Sequence, residues 1–150
     1  MTEAMDNGAA LTPGSGHAEG GRHLLAVRVY YEDTDFSGVV YHANYLRFLE
    51  RGRTESLRLL GANQSELLAG DGLFFAVRKM IVDWRLPARM DDVLLVETRT
   101  REVRGASLII DQRLLRGEEV LLTAEVRVAA ILGGRPARIP DAMRARLGGE

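Results

Sequence analysis

No cysteine occurs in this chain, which excludes disulfides, thiolate catalysis and cysteine-based metal sites and fits a reducing, cytoplasmic setting. Charge of either sign is not in excess. Against 20 Lys and Arg stand 21 Asp and Glu, and the net charge of −1 gives no field to attract nucleic acid or an anionic membrane. Long hydrophobic runs are missing as well: the apolar stretch 119–132 is broken by Glu125 and Arg127, so no transmembrane helix is expected. The first residues hold no apolar segment of the secretory kind. Residues 1–21 are rich in Gly, Ala and polar residues without a period, and read as a disordered N-terminal extension. The remaining 22–150, in a chain that is 46% hydrophobic, suit one domain with one core.

Within that domain the pattern changes period twice. Residues 24–32, "LLAVRVYYE", partly alternate and predict a strand, and "DTDFSG" then supplies turn residues. From about His42 to Leu60 apolar residues recur at three- and four-residue steps, which predicts a helix stopped by Gly61. A short second helix is expected from Asn63, with Glu66 three positions on. After Gly72 the chain reads as β: one long, bent strand over 73–87 closed by Pro87, then 91–104, 106–117 and 119–132. Val96, Thr98 and Thr100 alternate with Glu97, Arg99 and Arg101, the mark of an antiparallel sheet with one covered face. The last dozen residues read as a short helix or tail.

A sheet with one apolar face and a helix apolar on more than one side must cover each other. The expectation is an α+β hotdog fold, a long central helix wrapped by a curved five-stranded antiparallel sheet. Long strands leave long edges, and these predict pairing into a homodimer or homotetramer.

The stretch "VRVYYEDTDFSGVVYHANYLRFLERGRTESLR" resembles the signature of the 4-hydroxybenzoyl-CoA thioesterase family of hotdog proteins. It is nearest to the YbgC-type branch, acyl-CoA thioesterases associated with the Tol–Pal cell-envelope system. The resemblance continues through "VRKMIVDWRLPARMDDVLLVET" and "EVRGASLIIDQRL". It implies hydrolysis of acyl-CoA or acyl-carrier-protein thioesters, a place in lipid metabolism and no cofactor. Further partners implied are acyl carrier protein or lipid-synthesis enzymes. The family's catalytic acid, in the "TD" pair, corresponds to Asp35, and its "VVYH" to Val39–His42 at the start of the helix. Phe36 and Ser37 stand where relatives have smaller residues, a departure that bears on acyl preference.

The chemistry agrees with that assignment. A carboxylate at Asp35 suits a general base on water, typically worth about 10²–10⁴ in rate, or a nucleophile forming a mixed anhydride. The first turn of the helix offers unpaired N–H groups, and the amide of His42 or a neighbour can stabilise an oxyanion. One such donor is typically worth ~3–4 kcal/mol. Asp35 and His42 are therefore the catalytic candidates, and Gly38, Val39, Val40, Tyr41, Asn44 and Tyr45 the substrate-binding ones. Glu32 and Asp33 read as solvated or turn-forming acids, and Glu50, Arg51, Arg53 and Glu55 as locally paired charges on the helix. Arg78, Lys79, Arg85 and Arg89 are candidates for the phosphates of CoA. No His, Asp and Glu grouping has metal-ligand spacing. Two other readings use the same residues: a hotdog hydratase or dehydratase with Asp35 and His42 as its pair, and a non-catalytic acyl-CoA-binding or scaffold domain.

Overall fold

The computed structural model describes residues 11–61 and 64–148. In chain order the elements are β1 (His17–Glu19), β2 (Arg22–Arg28), α1 (Asn44–Leu59), α2 (Gln64–Asp71), β3 (Phe74–Trp84), β4 (Val93–Val103), β5 (Ser107–Arg116), β6 (Glu119–Leu132), β7 (Arg135–Pro136) and α3 (Asp141–Gly148). The sheet is antiparallel throughout, in the order β1-β2-β4-β5-β6-β3, with β7 paired to β6. Helix α1 lies against it, and the α+β hotdog architecture follows.

Among the described residues seven strands replace the expected five, and both additions come from glycine pairs. Gly20 and Gly21, at φ 59° and 77°, turn β1 onto β2. Gly133 and Gly134, at 62° and 78°, turn β6 onto β7. Two successive positive φ angles are what a two-residue hairpin of matching twist requires. The reading of 1–21 as an unstructured extension is thereby corrected at its end, where His17–Glu19 form a strand. Residues 1–10 of that extension, and the Asn63 start expected for α2, lie outside the described residues.

Two of the five long strands stop short of their expected ends. Strand β2 ends at Arg28 because Asp33 draws the chain into a 3₁₀ turn over Tyr31–Asp33, its carboxylate accepting the Tyr30 N–H at 2.8 Å. Strand β3 ends at Trp84, since the N–H groups of Arg85 and Leu86 both turn to the Leu121 carbonyl. The predicted bend in β3 is a bulge at Arg78, between Val77 and Lys79.

The core forms where α1 meets the concave face of the sheet. Phe48 and Leu49 are fully buried from the helix, and Leu94, Val96, Leu114, Leu122 and Val126 from the sheet. Gly52 sets the separation of the two layers, because a Cβ there would fall against Val96 Cγ1 and 3.0 Å from Thr98 Oγ1. Beside it Gln112, 1% exposed, donates its amide to the Leu49 carbonyl and to Thr98 Oγ1, both at 2.9 Å. Arg53, expected to pair locally, instead donates to Gln112 Oε1 at 3.0 Å. Burial pushes the Arg53 guanidinium below its usual range. The sheet's other face carries charge ladders such as Arg101 with Asp111 and Glu125. Among the described residues no helix is long and apolar enough to cross a membrane.

Replacing Gly52 with Leu should force α1 away from β4 and lower unfolding stability by about 1–3 kcal/mol or more, as overpacking does. Chemical denaturation of the variant checks this, and unchanged stability would contradict the close-packed layer.

Candidate active site

The segment between β2 and α1 is held by backbone bonds before any reactive group is considered. Asp35 N–H donates to the Val39 carbonyl at 3.0 Å, and Gly38 N–H to the Asp35 carbonyl at 3.0 Å. This closes a tight hairpin whose left-handed position is Gly38, at φ 87°. Thr34 bridges Val40 on one side, and Val39 bridges Arg89 on the other.

Beneath the hairpin sits Asp33, which is buried. Its carbonyl accepts the Tyr41 N–H at 3.0 Å and Asn44 Nδ2 at 2.9 Å. Asn44 therefore ties the first residue of α1 to the loop. One residue on, the Tyr45 hydroxyl accepts the Ala88 N–H at 2.9 Å, while the Ala88 carbonyl accepts the Val40 N–H at 2.8 Å. The Asp35 hairpin, the start of α1 and the loop after β3 form one connected body.

On this frame the Asp35 carboxylate is exposed. Its Oδ1 accepts two bonds from Ser37, from the backbone N–H at 2.8 Å and from Oγ at 2.5 Å. The Ser37 hydroxyl, then its N–H, then the charge of His42 hold the Asp35 carboxyl below the usual carboxylate range. His42 is exposed too, its ring 4.7 Å from Tyr41 and edge-on to Trp84 at 6.0 Å. Among the described residues neither the His42 N–H nor the Ala43 N–H has an acceptor. Both precede a 16-residue helix and lie at its positive end.

Of the residues expected at a site, Asp35, Gly38, Tyr41 and His42 are exposed along the hairpin and the turn into α1, with Val39 and Asn44 half-buried. Val40 and Tyr45 lie in the core, where backbone and hydroxyl bonds to Ala88 turn them inward, and Tyr45 is only 4% exposed. Of the cations considered for phosphate, Arg85 is paired with Asp83 at 3.0 Å. Arg78, Lys79 and Arg89 are exposed, Arg78 at the bulge. Trp84 and Ala88 escaped the sequence reading, and Ser37 entered it only as a departure bearing on acyl preference, not as a partner of Asp35. The spacing Asp35–Ser37, an acid with a hydroxyl two residues on, is a readable turn signal. The contacts of Trp84 and Ala88 join distant segments and carry no local signal.

A helix wrapped by an antiparallel sheet, with a carboxylate hairpin feeding its N-terminus, defines the hotdog thioesterase class. The chain's residues 29–147 match the model of the Thioesterase-like superfamily, and the chain belongs to that family. It is 47% identical over 121 residues to the acyl-CoA thioesterase YbgC of Haemophilus influenzae, covering 79% of this chain and 89% of that one. To the acyl-CoA thioester hydrolase YbgC of Escherichia coli it is 47% identical over 120 residues, with 78% and 89% covered. The crystal structure of a probable thioesterase from Bartonella henselae superposes with a TM-score of 0.77 at 46% identity, over 79% of this chain and 99% of that one. Within the family the chain is of the YbgC type, a thioester hydrolase.

Changing Tyr45 to Phe removes the acceptor of the buried Ala88 N–H and should cost about 1–3 kcal/mol. Equilibrium unfolding checks it. Faster hydrogen exchange at Ala88 in the same variant would localise the loss.

Proposed function

We propose that the protein hydrolyses acyl-CoA thioesters, with Asp35 as the base or nucleophile and the amides of His42 and Ala43 as oxyanion donors. The observation that carries this reading is the pairing of an ionised, exposed carboxylate with two uncommitted N–H groups at the start of α1. The names of the Haemophilus influenzae and Escherichia coli relatives support the substrate class.

Cleavage needs attack on the thioester carbonyl, stabilisation of the oxyanion and departure of the CoA thiolate. Ionised Asp35 serves either by taking a proton from the attacking water or by attacking the carbonyl itself to form a mixed anhydride that water then opens. Both routes require the carboxylate form. Both place negative charge on the former carbonyl oxygen, where the N–H groups preceding α1 act without reorganising.

The working unit in this proposal is a homodimer joined through β3. Among the described residues that strand pairs with β6 along one side only, which leaves its other edge open. It exposes Val77, Ile81 and Trp84, and Trp84 touches His42. An open, long, apolar edge is a template for pairing with a second chain. Such pairing sets the reactive hairpin of one protomer beside the other protomer.

Asp35→Asn should lower kcat/KM for acyl-CoAs by about 10²–10⁴-fold while thermal stability stays near that of the unaltered protein. Wild-type turnover in that variant would sink the assignment. Because the Asp35 pKa is held low, activity should persist below the ordinary carboxylate range and fall only as acid protonates Asp35; a pH profile of kcat/KM reads this. A panel of acyl-CoA and acyl-carrier-protein thioesters of rising chain length separates the two carriers. Sedimentation equilibrium should give twice the mass of one chain, and a single-chain mass at micromolar concentration would refute the dimer.

A further inference from the structure

Ser37 directs two donors at one carboxylate oxygen: the backbone N–H of an Asx turn and, in addition, its own side-chain hydroxyl. Asp35 Oδ1 takes the Ser37 N–H at 2.8 Å and its Oγ–H at 2.5 Å, whereas among the described residues Oδ2 has no donor. The carboxylate is exposed, and without the hydroxyl a single backbone bond would hold it. The hairpin around it is fixed by Gly38 and by the bridges to Val40 and Arg89, so the side chain's rotation is the freedom left to control.

We propose that Ser37 is a positioning residue for the hydrolysis: it locks Asp35 Oδ1 and leaves Oδ2 as the oxygen that acts on water or on the thioester carbonyl. The inference rests on the role assigned to Asp35 above. A hydrogen bond to an ionised carboxylate favours the charged form and is stronger than one between neutral groups. Ser37 thus orients the group and keeps it ionised, with the hydroxyl the larger contributor and the backbone N–H the smaller. Of the titratable groups near the hairpin, His42, from the turn into α1, is the one whose charge acts on Asp35, in the same direction. The arrangement trades basicity for readiness. The carboxylate is a weaker base than a free aspartate, but it is ionised and aimed before substrate arrives, which favours a preorganised attack.

The experiment compares Ser37→Ala, which keeps the N–H and removes the hydroxyl, with Ser37→Thr, which keeps both. Two readouts are taken for each: the Asp35 pKa from carbon-detected NMR of the carboxyl, assigned with Asp35→Asn, and the acid limb of the kcat/KM profile for a hydrolysed acyl-CoA. The proposal expects both to move to higher pH in Ser37→Ala and to return to the starting position in Ser37→Thr. An Asp35 pKa unmoved by Ser37→Ala overturns the proposal, since the hydroxyl then does not hold the carboxylate. An Asp35 pKa that rises while the acid limb stays in place overturns the catalytic role of Asp35 itself, and the positioning role falls with it. Thermal unfolding of both variants is followed in parallel, and only folded protein enters the comparison.

Discussion

The approach of α1 to the sheet at Gly52 governs everything the site can do. A side chain there would meet Val96 and Thr98, so glycine lets the helix lie directly on β4 and β5. Gln112 then reaches the helix backbone at Leu49, and Arg53 reaches back to Gln112. This polar node sits in an otherwise apolar layer, where an unmade bond is costly, so the helix's height and rotation are set together. With the helix placed, its N-terminus is placed, and with it the backbone N–H groups of His42 and Ala43 that are proposed as oxyanion donors.

The Asp35 hairpin is fastened to that terminus from below. Asp33 accepts from Tyr30, Tyr41 and Asn44, and Ala88 bonds Tyr45 and Val40, while Asp35, Ser37 and His42 stay outside. Two acids two residues apart therefore have opposite fates. Asp33 is buried and bonded to the Tyr30 N–H, while Asp35 is exposed and bonded only within its own turn. The same division explains why Tyr45 belongs to the frame: its hydroxyl satisfies an amide in the core, and burial pushes its phenol up, away from any acid–base role near neutral pH.

Much of the fold was legible because periodicity reports which face of an element is covered. The three-to-four spacing in α1 corresponds to one-sided burial, and the alternation in 93–103 does so except at Glu97, which pairs with Arg22 and Arg113 and is buried beneath them. Short strands were not legible in that way, since three residues in β1 and two in β7 carry no period. Their signal lay in the turns, at Gly20–Gly21 and Gly133–Gly134, where a glycine pair between extended residues marks a hairpin. A disordered reading of a Gly-rich segment overlooks that the same residue type both loosens a chain and permits its tightest turns.

By itself the sequence determined the element types, the family motif and the position of an acid in a glycine hairpin ahead of a helix. These depend on neighbours in the chain. Tertiary structure alone decided that Arg53 bonds Gln112 across 59 positions, and that Tyr45 serves Ala88 across 43. It also decided that Trp84 closes against His42. A polar side chain's partner is chosen by which donor or acceptor is left unsatisfied when distant segments pack. No local pattern records that choice, because until the core closes water satisfies every one of those groups.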